Sequence, residues 1–385
     1  MSDALRGADK KFVLIPDSFK GTMSSIEICA IMAGAIRAVL PGARIREIPV
    51  ADGGEGSVDA FLRALGGERV TVRVSGPFGQ EMDAHYALLD GGATAVVEMA
   101  ACAGLPLVEG GPDPKRATTY GVGQLILDAA RKGVKKIIVG LGGSATNDGG
   151  CGAAAAVGVK FYDADGIQFV PTGGTLHEIA RIDAGGYDAA LKGAEISAMC
   201  DIDNPLYGPE GAAYVFGPQK GADERAVKFL DDGLRVLDER IRVYIGADLS
   251  QTRGAGAAGG MGAGMAAFFG ARLQMGIEVV LDAVKFNEII DGADMILTGE
   301  GKIDAQSLRG KVVIGVARRA RASGAPVVAI VGDIDGAARG AYAEGVSGIF
   351  SINRLAQDFS RAKAHAREDL AFTVENLMRF RYGSA

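Results

Sequence analysis

Short apolar runs and amphipathic helical patterns alternate from the beginning of the chain. The apolar run at residues 12–15 predicts a strand, and apolar positions at helical spacing over 28–39 predict the helix that follows it. Ser24 and Glu27 have the spacing of a capping box, which indicates that this helix begins just after Ser24. A second strand over 45–50 continues the pattern. Such alternation favours a parallel, doubly wound sheet.

The same alternation returns near the far end, where residues 326–331 predict a buried strand. The middle of the chain differs, with hairpin-like strands and a long helix predicted over 222–244. We therefore predict two α/β domains. One is discontinuous and consists of residues 1–75 and 293–385, and the other is an insertion of residues 76–292.

Composition and charge exclude several classes of protein. With 41 Lys and Arg against 47 Asp and Glu, the net charge of −6 argues against a nucleic-acid binder held by a broad basic field. No apolar run approaches the roughly 20 residues that a membrane helix needs, and the first residues lack the apolar stretch of a signal peptide. We expect a cytoplasmic enzyme. Glycine is abundant, at 58 of 385 residues, which suggests backbone brought close to a ligand.

Four loops follow predicted strands, which is where ligands bind in parallel sheets. The first contains Asp17, Ser18 and Lys20 at the start of a helix and predicts an anion site, for which a lysine is a flexible point charge. The second places Asp52 and Glu55 between glycines, so that both carboxylates can approach a ligand or a cation. A solvated lysine and a purely local acidic turn are the alternatives for these two loops.

The third loop has the sequence GLGGSATNDGG. Gly142, Gly143 and Ser144 are typical of a backbone-amide cradle for phosphates. In the same loop, Asn147 suits the positioning of a hydroxyl group and Asp148 suits a metal ion. The loop also contains the pattern GxGxxA, but TNDGG interrupts it where the helix of a dinucleotide-binding fold should run. An NAD-dependent dehydrogenase is therefore disfavoured.

The fourth loop, TGEGKIDAQSLRGK, brings charges of both signs to a strand end through Glu300, Lys302, Asp304 and Lys311. That mixture suits a magnesium–nucleotide complex or an acidic substrate, although an exposed charged loop is the alternative. Asp201 and Asp203 are two residues apart, so on a strand both would face the same side; the alternative is a loop rich in proline and glycine, in which Asp203 starts a turn. Paired carboxylates can divide the work of general base and metal ligand.

Taken together, these loops resemble those of the bacterial type I glycerate kinases, which phosphorylate D-glycerate with ATP. The matching stretches occur in the family's order: PDSFKGTMS, IPVADGGEGS, ATTYGVGQLI, GLGGSATNDGG, CDIDNPLYG, VFGPQKGA, GAGAAGGMG and LTGEGKIDAQSLRGK. The resemblance implies a discontinuous flavodoxin-like (Rossmann-type) domain made from both chain ends, with an inserted α/β domain that resembles a restriction-enzyme fold. It also implies ATP and D-glycerate as substrates, with the 2-hydroxyl group as phosphoryl acceptor.

From these residues we form a hypothesis about the site, with Mg²⁺ as cofactor. Lys20 neutralises the transferring phosphoryl group, and Asp201 accepts the hydroxyl proton. The predicted residues are Lys20, Asp201 and Asp203 for catalysis; Gly142, Gly143, Ser144 and Asn147 for nucleotide phosphates; Asp17, Ser18, Asp52, Glu55, Lys302 and Lys311 for the substrate; and Asp148 and Asp304 for the metal.

Several alternatives stay open at this point. The protein could phosphorylate the 3-hydroxyl group of glycerate, or it could be a kinase for another small hydroxy acid or a sugar. A non-catalytic glycerate sensor on the same scaffold is the third alternative. We expect a monomer or a small homo-oligomer, with neither nucleic acid nor membrane as a partner.

Overall fold

The computed structural model of the chain describes residues 9–50, 53–108 and 110–383. Asp52, one of the predicted substrate-binding residues, lies outside these ranges. The strands are β1 (Lys11–Pro16), β2 (Arg44–Glu47), β3 (Glu68–Ser75), β4 (Glu81–Leu89), β5 (Thr94–Glu98), β6 (Lys136–Gly140), β7 (Lys160–Tyr162), β8 (Gln168–Phe169), β9 (Arg181–Asp183), β10 (Glu195–Met199), β11 (Arg272–Gln274), β12 (Met295–Ile303), β13 (Val327–Ile334) and β14 (Val346–Ser351).

The helices alternate with these strands at both ends of the chain. They are α1 (Ser25–Val39), α2 (Ser57–Leu65), α3 (Ala100–Ala103), α4 (Tyr120–Arg131), α5 (Cys151–Ala156), α6 (Ala212–Phe216), α7 (Glu224–Ile245), α8 (Ala257–Phe269), α9 (Gly276–Ala283), α10 (Phe286–Ile290), α11 (Val312–Ala320), α12 (Gly340–Ala343) and α13 (Phe359–Tyr382). Among the helices within the described ranges, none combines the length and the apolar character needed to cross a membrane.

The chain forms two compact units. The first contains the described residues of Met1–Ala51, Arg63–Leu65 and Ile277–Ala385, and the second contains those of Asp52–Leu62 and Gly66–Gly276. These limits differ from the predicted domain boundaries after residues 75 and 292. The difference has two causes: β3 pairs along its length with β4 of the second unit, and α9 is tied to α11 of the first unit through ion pairs of Arg319.

The first unit is built on a five-stranded sheet with the order β14-β13-β12-β1-β2, in which every pairing is parallel. Read from β2, the order reverses between β1 and β12, which makes this pair the topological switch point of a doubly wound sheet. Helix α1 begins as predicted, because Ser24 and Glu27 form a capping box. Phe12 and Leu14 of β1 pack with Ile28 of α1 in the core of this unit.

The second unit contains a mixed six-stranded sheet with the order β11-β10-β6-β5-β4-β3. Strands β11, β10, β6 and β5 pair parallel to one another, whereas β4 pairs antiparallel with both β5 and β3. The carboxyl ends of β5, β6 and β10 therefore lie at one edge of the sheet. The loops that leave these three strands contain most of the glycine-rich and acidic motifs of the second unit.

Candidate functional site

The end of β1 lies beside β12 at the switch point of the first unit. Asp17 follows β1 directly, and its backbone N–H donates to Gly299 O over 2.8 Å. The backbone N–H of Ser18 donates to the Asp17 carboxylate over 2.7 Å. Lys20 is exposed on the turn before α1. The structure thus brings three predicted residues, Asp17, Ser18 and Lys20, to the carboxyl edge of this sheet.

Glu300 is a buried carboxylate on β12 at the same switch point; the sequence places it among the charges of the fourth loop, but the predicted set of site residues does not include it. Its side chain is 6% exposed, and its Oε1 atom has no hydrogen-bond partner among the residues the structure describes. Burial raises the pKa of Glu300 to about 7, and Asp17 adds to the rise, while a hydrogen bond from Ser307 and the charge of Lys311 oppose it. Such a carboxylate can exchange a proton near neutral pH.

The predicted fourth loop begins inside a strand. The apolar run at residues 295–297 predicts a strand that ends at Leu297, but β12 continues to Ile303. Lys302 is consequently an exposed residue of β12, paired in register with Asp333 of β13. The sequence does not predict this longer strand, because Gly299 and Gly301 lie within it and glycine is rare in strand interiors.

Asp304 and Lys311 also lie at this edge of the first unit. Asp304 Oδ1 accepts hydrogen bonds from the backbone N–H groups of Gln306 at 2.8 Å and Ser307 at 3.2 Å. Burial raises the pKa of Asp304, but these two donors, together with the charges of Lys311 and Lys302, hold the pKa below its usual value. Lys311 is half-buried at the position preceding α11.

In the second unit, two glycine-rich segments pack backbone against backbone. The N–H of Gly142 donates to Gly53 O over 2.9 Å, so this amide is already used. A Cβ atom at Gly142 would lie 2.5 Å from Gly54 Cα, and one at Gly140 would lie 2.4 Å from Gly53 O. Packing alone therefore requires glycine at these two positions, whether or not a ligand binds there.

Two neighbouring amides remain at the tip of the loop after β6. Gly143 is exposed and has a φ of +76°, a conformation that favours glycine. Within the described residues, the backbone N–H groups of Gly143 and Ser144 have no acceptor. Adjacent free amides in a turn are suited to bind the oxygens of a phosphate group.

Asn147 lies deeper in the same loop and is fully buried. Neither Oδ1 nor Nδ2 of its side chain has a hydrogen-bond partner in the part of the chain that the structure describes, and the same holds for Thr146 Oγ1. Buried polar atoms are almost always paired, so a ligand or water is needed to complete this region.

Asp148 is the structural anchor of this loop. It is fully buried, and its Oδ2 accepts from the backbone N–H and the hydroxyl of Thr119, both at 2.8 Å, and from the N–H of Gly152 at 3.3 Å. Oδ1 accepts from the N–H of Gly150 over 3.1 Å. Burial raises the pKa of Asp148, and these donors oppose the rise. A carboxylate enclosed by four donors does not fit a magnesium ligand.

The loop that contains Glu55 is held by a residue that no motif identifies. Glu55 itself is exposed. Glu98, at the end of β5, is 5% exposed and accepts hydrogen bonds from the backbone N–H groups of Gly56 and Val58 at the start of α2. Burial raises the pKa of Glu98, although the two amides oppose it. Because Glu98 is some forty residues away in sequence, only the fold reveals this contact.

Asp201 and Asp203 follow β10 rather than lying on it, so the argument that a strand would turn both to one side does not apply here. Asp201 Oδ1 accepts from the N–H of Gly276 over 2.7 Å. Asp203 forms a two-pronged ion pair with Arg253, with distances of 3.0 and 2.8 Å. Cys200 directly precedes Asp201, and burial raises the pKa of its thiol to about 11, which disfavours the thiolate that a nucleophile needs.

The predicted residues thus fall into two sets, one in each unit. Asp17, Ser18, Lys20, Lys302, Asp304 and Lys311 belong to the first unit, and Glu55, Gly142, Gly143, Ser144, Asn147, Asp148, Asp201 and Asp203 belong to the second. Within the described ranges, no group of three or more His, Cys, Asp or Glu side chains could hold a metal ion. Asp304 fits a single contact to a phosphate-bound magnesium ion, because both of its backbone hydrogen bonds go to Oδ1.

Comparison with known proteins gives matches over nearly the whole chain. The model described as the glycerate kinase family matches residues 12–381. A glycerate kinase of Bacillus cereus is 43% identical over 371 residues, which cover 95% of this chain and 97% of the relative. A glycerate 2-kinase of Escherichia coli is 42% identical over 343 residues, which cover 89% of this chain and 90% of the relative.

A solved structure shows the same similarity in three dimensions. It comes from Salmonella typhimurium LT2 and has the provisional name glycerate kinase 2. Its TM-score is 0.85 at 39% sequence identity, and the match covers 97% of this chain and 98% of that chain. The predicted α/β fold class is confirmed.

Proposed function

The chain belongs to the glycerate kinase family, and on this premise we propose that it transfers the γ-phosphoryl group of ATP to D-glycerate. The 2-hydroxyl group is the proposed acceptor, because a relative covered over 90% of its length is named a glycerate 2-kinase. The observation in the chain itself that supports the proposal best is the loop tip at the exposed Gly143, where the backbone N–H groups of Gly143 and Ser144 have no acceptor among the described residues. Phosphoryl transfer depends on such positioning and charge stabilisation.

In this proposal the nucleotide phosphates bind to the loop after β6. The amides of Gly143 and Ser144 donate to phosphate oxygens. Gly142 contributes through the absence of a side chain, since its own N–H is bonded to Gly53. Asn147 stays a predicted nucleotide contact, and its unpartnered amide group supports a polar ligand or ordered water nearby.

The acidic substrate and the transferring phosphoryl group need cations, which the first unit supplies. Lys302 and Lys311 are the proposed partners of the glycerate carboxylate, and Lys20 is the proposed partner of the phosphoryl group. Their position at the carboxyl edge of a parallel sheet supports both roles. Asp17 and Ser18 are proposed to contact the hydroxyl groups of glycerate, and Glu55 stays a predicted substrate-binding residue.

Asp201 is the proposed acceptor of the hydroxyl proton. Asp203 is the weaker candidate, because Arg253 already engages both of its carboxylate oxygens. We expect Asp201→Asn to lower kcat about 100-fold or more, the usual contribution of a general base. If Asp201→Asn keeps full turnover and Glu300→Gln loses it, the proton acceptor is Glu300 instead.

Magnesium, when bound with the nucleotide, neutralises charge on the β- and γ-phosphates. Asp304 is the proposed protein contact, and Asp148 is left out because its carboxylate is enclosed by four donors. Any further positions around the ion would be completed by water and phosphate oxygens, as is usual for this cation.

A coupled ADP-release assay tests the proposed activity. ATP and magnesium with D-glycerate should give sustained ADP production, and L-glycerate, lactate and glucose should give little. Lys20→Ala should lower kcat about 100-fold, as expected for loss of a transition-state charge contact. Lys363→Ala, which removes an exposed lysine of α13, is the matched control. Turnover of another acid or a sugar would reassign the substrate, and glycerate binding without ADP release would indicate a sensor.

A further inference from the structure

The loop after β6 is fixed from the inside by two buried ionisable side chains. Asp148 holds its second half, as described above. The first half contacts Lys220, whose side chain belongs to a distant segment and is only 1% exposed. Lys220 Nζ donates to Ser144 Oγ over 2.8 Å and to the carbonyl oxygen of Thr146 over 2.7 Å.

The local backbone around Lys220 fixes its place in the interior. Lys220 ends a single 3₁₀ turn, Pro218–Lys220, within the stretch VFGPQKGA. Gly221 follows with a φ of +88°, and a Cβ atom there would lie 2.4 Å from Pro112 O. A side chain at this position would therefore displace the turn. The proposed reaction has so far given this stretch no role.

Few other side-chain contacts hold this half of the loop. Thr146 Oγ1 and both polar atoms of Asn147 lack hydrogen-bond partners within the described ranges. Without the ammonium group, Ser144 Oγ and the Thr146 carbonyl would lose their buried donor. Leaving buried acceptors unpaired is costly, so the loop would be expected to change conformation.

Burying an ammonium group is unfavourable unless hydrogen bonds or a nearby negative charge compensate for its removal from water. Burial lowers the pKa of Lys220 to about 7, and the charge of Asp148 opposes the decrease. A bound polyphosphate would place further negative charge beside Ser144 and would favour the protonated lysine. Unlike a surface lysine, this group therefore gains from an anion at the loop tip.

We propose that Lys220 is a positioning residue for the nucleotide: it fixes Ser144 and Thr146 so that the amides of Gly143 and Ser144 stay in place at the tip of the loop, where a polyphosphate binds. This inference rests on the proposed function, because it takes the loop after β6 as the nucleotide site. It assigns Lys220 no direct contact with the reacting atoms. Its effect should therefore appear in nucleotide affinity and leave glycerate affinity unchanged.

The test is calorimetric titration of magnesium–AMPPNP, a non-hydrolysable ATP analogue, into the full-length protein and its variants. Lys220→Met should weaken binding about tenfold or more, which corresponds to the loss of one or two buried hydrogen bonds. Gln219→Met, an exposed neighbour in the same turn, should stay within about twofold. In steady-state assays Lys220→Met should raise KM for ATP and leave KM for glycerate unchanged.

A milder variant keeps the test decisive if Lys220→Met fails to fold. Ser144→Ala removes one of the two acceptors, and it should weaken AMPPNP binding by a smaller factor. In Ser144→Ala/Lys220→Met the two losses should be less than additive, because both act on one contact.

Two results would overturn the inference. The first is unchanged AMPPNP affinity in a folded Lys220→Met protein or, where that variant does not fold, in Ser144→Ala. The second is an equal rise of both KM values. If the wild-type protein and Lys220→Met bind AMPPNP equally well, the inference fails but the proposed function is left intact. Wild-type protein that binds no nucleotide would overturn both.

Discussion

Several loops at strand ends rest on buried side chains that would be charged in water, namely Glu98, Asp148, Lys220 and Glu300. Removing such groups from water is unfavourable unless hydrogen bonds or opposite charges compensate. For Asp148 four donors offset part of this cost, although burial still raises its pKa. For Glu300 the compensation is also partial, because Oε1 has no partner among the described residues. Asp148 is therefore expected to stabilise its loop through these hydrogen bonds, and Glu300 is expected to lower the stability of the fold when it is ionised.

Glu300 makes stability depend on pH. Its pKa is raised from 4.5 to about 7 in the folded protein, so between these values the folded state keeps a proton that the unfolded state has lost. The free energy of unfolding should then decrease as pH rises through this window. Glu300→Gln removes the effect and should be more stable than the wild type at pH 8 by on the order of 2 kcal/mol.

Urea unfolding at pH 5 and pH 8 measures this difference. Glu288→Gln, an exposed residue of α10, is the control and should follow the wild type at both values. The same pH dependence in wild type and Glu300→Gln would contradict the argument.

Asp148 offers the opposite case. Asp148→Asn replaces one carboxylate oxygen by an amide NH₂ group, which cannot accept a hydrogen bond from the N–H groups that face it. We therefore expect the free energy of unfolding to fall by about 3 kcal/mol. Urea unfolding gives the loss, with the exposed Asp165→Asn as control. A variant with normal stability that needs more magnesium for activity would restore the predicted metal role.

At the scale of elements, local patterns were predictable and long-range contacts were not. The capping box of Ser24 and Glu27 acts within one turn, so four residues were enough to predict it. The full length of β12 was hidden by glycines, which weaken any strand pattern. The contact of Lys220 with Ser144 joins residues 76 apart in sequence, and no spacing rule reaches that far.

The packing of two glycine-rich segments predicts a specific intolerance to side chains. Gly142→Ala should lower the unfolding free energy by about 2 kcal/mol, because its Cβ atom would lie 2.5 Å from Gly54 Cα. It should also weaken nucleotide binding through displacement of the neighbouring amides. Gly34→Ala is the matched control, since a Cβ atom at Gly34 in α1 would meet no neighbouring atom within 4 Å outside its own turn of helix. This substitution should stabilise the helix by up to about 1 kcal/mol.

Thermal and urea unfolding of both variants provide the comparison. A Gly142→Ala protein as stable as Gly34→Ala, with normal AMPPNP affinity, would show that the two segments tolerate separation and that the glycine has no packing role.

At the scale of the whole molecule, the α/β class and the family were accessible from the sequence, because eight motifs lie in one order along the chain. The limits of the two units were harder to predict. β3 reads as a continuation of the first strands, yet it pairs with β4 and belongs to the second unit. The boundary was decided by a hairpin, because β3 pairs with the next strand along the chain and not with β1 or β2. The expected monomer or small homo-oligomer stays a prediction.

The identity of the product tests the central claim most directly. The protein should be incubated with ATP, magnesium and D-glycerate until ADP release is complete, and the mixture should be examined by ³¹P NMR against authentic standards. We predict the signal of 2-phosphoglycerate. A 3-phosphoglycerate signal would contradict the assigned hydroxyl group but keep the kinase, whereas no phosphorylated glycerate at all would contradict the account.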